Sequence, residues 1–68
     1  MKFNVGDWIV VESTNIPDFF TIEKITGIDE INQTYTYYCD CNKMVCNAHI
    51  SWLDEARLLT EEEKVELL

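Results

Sequence analysis

The stretch from Thr34 to Ser51 constrains the fold more than any other part of the chain. Thr34 to Cys41 holds three Tyr and two Thr in eight residues, a composition of strands rather than helices. Asn42-Lys43 then reads as a two-residue turn, weaker than Asn-Gly because Lys resists positive φ, and Met44 to Ile50 as the returning strand. This register sets Cys41 opposite Met44, Cys39 opposite Cys46, Tyr37 opposite Ala48 and Tyr35 opposite Ile50. Side chains alternate along a strand, so these eight share one face. Thr34, Thr36, Tyr38, Asp40, Val45, Asn47, His49 and Ser51 share the other. One face is apolar and the other mostly polar, as in an antiparallel hairpin with one side on a core.

The rest of the chain supplies partners for this hairpin. Phe3 to Glu12 opens on the turn residues Val5-Gly6-Asp7 and continues as Trp8-Ile9-Val10-Val11, a strand by its β-branched content. Ser13 to Asp18 is a loop, marked by Pro17 and its constraint on Ile16. Phe19 to Ile25 is a second strand, and Gly27 with the polar residues 29–33 makes the next connection. Asp54-Glu55 is a turn and Ala56 to Leu59 a short fifth strand. Thr60 and Glu63 form a capping box that opens a helix over 61–68. Two helical turns do not persist alone, so Val65 and Leu68 are expected to dock on the sheet. Sixty-eight residues allow one domain, spanning 1–68, and four or five short antiparallel strands in it point to a small closed or half-closed barrel with the helix over one end.

The hydrophobic fraction of 47% suits a globular chain, while thirteen acids against five bases leave a charge of −8. That surface repels phosphate backbones and anionic lipid, which argues against direct nucleic-acid or membrane binding. The absence of an apolar signal stretch at Met1-Lys2-Phe3-Asn4 predicts a cytoplasmic protein.

Val5-Gly6-Asp7-Trp8-Ile9-Val10 resembles the opening strand of SH3-like barrels. The layout that ends in Ala56-Arg57-Leu58-Leu59-Thr60-Glu61-Glu62-Glu63 looks like small proteins of phages and prophages. The resemblance implies an SH3-like β-barrel that binds peptides or partner proteins and seldom catalyses. The basic loops of its nucleic-acid-binding members are missing here.

Three groups of residues could carry function. Cys39, Cys41, Cys46 and His49 have the ligand types of a structural zinc site, but Cys-x-Cys followed by Cys-x-x-His is irregular, and the register puts His49 on the face away from the thiols. Small apolar residues in a core, or a Cys39–Cys46 disulfide across the strands, are the other readings of the thiols. His49 is the sole His and lies on the wrong face to act as a base for the thiols, and the carboxylates adjoin one another in turns, so no catalytic residue and no cofactor is expected. Among the aromatics, Tyr35 and Tyr37 belong to the core face; Tyr38, Trp52 and one of Phe19 and Phe20 are candidate interface anchors. From Asp54 onward six acids meet two bases, which makes either a solvated helix face or an imitation of a nucleic-acid backbone.

These strands of argument converge on a non-enzymatic protein-binding module, a phage or mobile-element accessory protein that modulates or inhibits a host protein with a basic surface. Its expected contact residues are Phe19, Phe20, Tyr38, Trp52, Asp54, Glu55, Glu61, Glu62 and Glu63. A zinc module on the cysteine cluster is the competing class, and a homodimer that buries its aromatics the third.

Overall fold

The computed structural model describes residues 2–12, 18–40 and 42–68. The chain runs as β1 (Trp8–Glu12), β2 (Phe20–Asp29), β3 (Thr34–Cys39), β4 (Met44–His49), a 3-10 helix (Ile50–Glu55), β5 (Ala56–Leu58) and α1 (Glu61–Leu67). The five strands form one antiparallel sheet in the order β4-β3-β2-β1-β5, so β4 and β5 are open edges with no ladder between them. Residues 13–17, most of the expected first loop, lie outside the described residues. No helix among the described residues is long and apolar enough to cross a membrane.

β1 starts where the turn residues say it should. Gly6 takes φ 97°, and its N–H donates to the Ile25 carbonyl at 2.8 Å. Only glycine adopts that conformation without strain. β2 runs further than its composition suggests, past Gly27 to Asp29. A register shift between Ile25 and Gly27 explains this, because Ile25 faces Tyr37 while Ile28 faces Tyr35. Residues three apart would otherwise point to opposite faces, and the bulge brings both isoleucines onto the core side.

Gly27 has a packing reason as well. A Cβ there would lie 2.6 Å from the Thr36 Oγ1, which accepts from the Thr26 hydroxyl at 3.2 Å. Gly27→Ala should therefore cost about 1 kcal/mol, by overpacking and loss of that hydrogen bond. Thr36→Ala in the same chain should remove most of the penalty. A urea double-mutant cycle measures the coupling, and additive losses would show that Thr36 is not what crowds the site.

The β3–β4 hairpin keeps the expected faces but not the expected turn. Cys39 pairs with Met44, Tyr37 with Cys46 and Tyr35 with Ala48. The pairing has slipped by two residues, and a slip of two returns every side chain to its own face. Asn42-Lys43 as a two-residue turn would need positive φ at both positions. Among the described residues of the connection, Lys43 takes φ 58°, its N–H donates to the Cys39 carbonyl at 2.9 Å and its ammonium pairs with Asp40 at 3.0 Å. The β2–β3 loop repeats the device with Gln33 at φ 55°. There the Asp29 carboxylate accepts from the Asn32 side chain at 2.7 Å and from the Ile31 and Asn32 amides at 3.1 Å, and the Asn32 contact leads in holding its pKa below the ordinary value.

Phe3, Ile9, Ile25, Tyr35, Leu53 and Ala56 make the core, with Val11, Ile28, Tyr37, Ala48 and Ile50 packed against it. The 3-10 helix, where the sequence suggested only a turn at Asp54-Glu55, contributes Leu53 to it. His49 caps this helix, its Nδ1 accepting from the Ser51 amide at 3.1 Å.

α1 corrects the expectation that Val65 and Leu68 dock. No side chain of α1 is buried, and Val65 is 85% exposed. Its anchorage is polar. The Thr60 hydroxyl accepts from the Glu63 amide at 3.1 Å, and the Glu63 carboxylate accepts from the Thr60 amide at 3.0 Å. The same carboxylate receives a two-pronged contact from Arg57 of β5, at 2.7 and 2.9 Å. A fork of this kind fixes direction as well as distance.

Candidate partner-binding surface

Phe19 and Phe20 both stand outward, at 51% and 48% exposure, although neighbours on a strand should alternate. The reason is position: Phe19 precedes β2, and Phe20 is its first residue, opposite Glu12 at the end of β1. Both lie past the point where the core ends. With Glu12 and Asp18 they line a cleft of about 350 Å³. Asp18 holds φ 62° at this corner. Two aromatic rings and two carboxylates suit a guanidinium or ammonium group, through the ring faces and through charge.

Trp52 is 57% exposed on the 3-10 helix, with the exposed carboxylates of Asp54 and Glu55 following it. Tyr38 is half-buried on the outer sheet face. The ladders set it in a row across four strands, Trp8–Lys24–Tyr38–Val45, in which the Lys24 ammonium lies 5.9 Å from the Trp8 ring centre. Glu61 and Glu62 are exposed on the first turn of α1. Glu63, expected beside them as a contact residue, is already engaged. Arg57, above all, holds its carboxyl down to about 2, with the Thr60 amide assisting. The expected residues thus occupy separate elements: the start of β2, the outer face of β3, the 3-10 helix and α1.

The thiols and imidazole are parted. Cys39 is buried and Cys46 half-buried on the core side of the hairpin, while His49 is spent capping the 3-10 helix from the other face. Among the described residues no three His, Cys, Asp or Glu converge on a metal-sized space, and Cys41 lies outside those residues. The two-residue slip also removes the expected cross-strand Cys39–Cys46 pair. They are now diagonal neighbours, for which ~7–8 Å between Cα atoms is typical and a disulfide is too short.

The chain matches no protein-family model, no curated protein and no solved structure. Its function is therefore read from surface chemistry alone.

Sequence reasoning missed four participants. Glu12 and Asp18 join the phenylalanines only once the β1–β2 ladder is known; their nearness to Phe19 and Phe20 at the two ends of one loop was the available signal. Lys24 places a cation in the aromatic row of an acidic protein. Glu23 is the fourth, a carboxyl at 3% exposure inside the sheet. It accepts from the Thr21 hydroxyl at 2.9 Å and from the Tyr35 hydroxyl at 3.1 Å. Burial pushes its pKa up, against the pull of those two donors. Burial and then the Glu23 charge raise the pKa of Tyr35, and burial leads in raising that of Tyr37. A protonated carboxyl in a site could serve as a general acid, but Glu23 is not among the residues that line the cleft of Glu12, Asp18, Phe19 and Phe20.

Proposed function

We propose that this chain is a non-enzymatic protein-binding module with an SH3-like barrel architecture, and that it engages a partner through that partner's basic side chains. The architectural reading is supported by the sheet order β4-β3-β2-β1-β5, by a long bulged β2 shared between both halves of the sheet, and by a 3-10 helix between β4 and β5. The functional reading rests on the cleft of Glu12, Asp18, Phe19 and Phe20, where large rings stay in water beside carboxylates that could receive a cation. Trp52, Asp54, Glu55, Glu61 and Glu62 extend the same chemistry, and Tyr38 adds an aromatic on the outer sheet face. The setting that joins these features is a cytoplasmic accessory protein of a phage or mobile element. It would modulate or inhibit a host defence or nucleic-acid-processing protein by occupying a groove built for phosphates. Acidic fields of this kind act mainly on the association rate.

The test is capture from a bacterial host lysate by the immobilised protein, followed by binding kinetics on whatever is retained. Glu61→Lys with Glu62→Lys should slow association about tenfold at low salt and leave dissociation nearly unchanged. Phe19→Ala with Phe20→Ala should instead speed dissociation. Glu63 must stay, because its replacement would also uncap α1. Equal capture by all three proteins would refute the reading.

A further inference from the structure

The chain's acids are unevenly spread, and the gap falls on an open sheet edge. Residues 41–53 contain none of the thirteen acids. They include β4, whose residues Met44–His49 hold no Lys, Arg, Asp, Glu or Pro. Natural edges are usually guarded by such residues or by brevity. The opposite edge, β5, has these guards: it is three residues long, carries Arg57 and leads into acidic α1. β4 has none. Met44 and Val45 are 58% and 65% exposed, and among the described residues no strand pairs with the outer side of β4.

We propose that β4 pairs antiparallel with β4 of a second copy of this chain, about a two-fold axis at Cys46. The two five-stranded sheets then become one continuous sheet. A two-fold axis through the sheet requires each residue to meet one from its own face, which holds when Cys46 meets its own counterpart. Met44 then meets Ala48 and Val45 meets Asn47, so the apolar core-side positions extend across the joint. Charge selects a second copy over a basic partner. A basic protein is drawn to the acids and gains nothing from a neutral strip. Two copies at −8 each repel one another, and this acid-free edge is where they can approach most closely. Beyond a Debye length of about 8 Å the remaining repulsion is largely screened. None of the residues of the proposed partner surface is used.

Sedimentation equilibrium from micromolar to millimolar concentration should show a monomer–dimer equilibrium. Val45→Lys with Asn47→Lys puts like charges opposite each other twice and should weaken the dimer about tenfold or more. Val45→Lys with Asn47→Glu puts opposite charges there and should restore it. Circular dichroism checks that both variants fold. Amide exchange on the unaltered protein is the variant-free measurement, and protection within Met44–His49 should rise with concentration. A wild type that stays monomeric, a folded Lys/Lys variant that still dimerises, equal weakening in both variants, or β4 exchange that ignores concentration would each overturn the proposal.

Discussion

Ile25→Ala is expected to lower the melting temperature by about 10–20 °C and to leave little folded protein at physiological temperature. Ile25 is fully buried on β2, the strand that pairs with both β1 and β3. Its side chain belongs to the core with Phe3, Ile9 and Tyr35. Its backbone also anchors the N-terminal turn, receiving the Gly6 N–H and donating to the Asp7 carbonyl at 3.0 Å. Truncation of such a residue costs about 2–5 kcal/mol, because the lost transfer energy is joined by that of an unfilled cavity. A chain of this length has a total stability of only roughly 3–10 kcal/mol. Val65→Ala on α1 is the control and should cost less than about 0.5 kcal/mol, since that side chain is in water. Urea melts of the two variants decide the matter. A small loss for Ile25→Ala would contradict the packed core, and a large one for Val65→Ala would mean that α1 docks after all.

That contrast marks where the sequence was legible. Strand existence, face assignment and the helix cap followed from alternation, β-branched runs and Thr60…Glu63, all of them local. The hairpin faces survived a wrong turn because an error of two residues preserves alternation. What failed was non-local. The bulge in β2 depends on two isoleucines three apart both finding the tyrosine face of β3, and Gly27 alone does not announce it. Docking of Val65 was inferred from the weakness of a short helix. The anchorage is instead Arg57 reaching Glu63, a pairing between elements that no periodicity contains.

The contact residues divide the same way. Trp52 and one of Phe19 and Phe20 were readable as interface anchors, and all three side chains are exposed. Glu61 to Glu63 formed one charge run in the sequence, yet fold geometry separates Glu63, which is structural, from its two exposed neighbours. Glu23-Lys24 is a polar step inside the second strand, and nothing in the sequence singles out either residue. Alternation puts Lys24 outward and Glu23 inward, where Tyr35, a residue on the neighbouring strand, makes a buried carboxyl tolerable.

Glu23 should make the folded state more stable in mild acid than its charge balance alone suggests. Its pKa is raised above the ordinary 4.5 by burial, so the stability linked to its proton is fully present below that value. It is lost as pH rises through the folded-state value. Glu63 has the reverse sign: its pKa falls to about 2 beside Arg57, so its contribution is present above the ordinary value and lost as pH falls toward 2. The wild-type profile contains both, and Glu23→Gln separates them. Gln keeps an oxygen for the Tyr35 hydroxyl, and its amide can donate to Thr21, so packing and partners survive. The variant should match the wild type in acid and exceed its stability by a growing margin as pH rises above the ordinary carboxyl value. Tyr35→Phe should act oppositely on the slope. It removes a donor that favours the ionised carboxylate, so stability should fall more steeply as pH rises. Glu23→Ala leaves the Tyr35 hydroxyl buried without its acceptor and should cost about 1–3 kcal/mol in acid, and less as pH rises and the wild type loses the stability linked to its own proton. Chemical denaturation at a series of pH values reads all three. Parallel curves for the wild type and Glu23→Gln would mean that the carboxyl titrates as it does in the unfolded chain, and that burial has not shifted it.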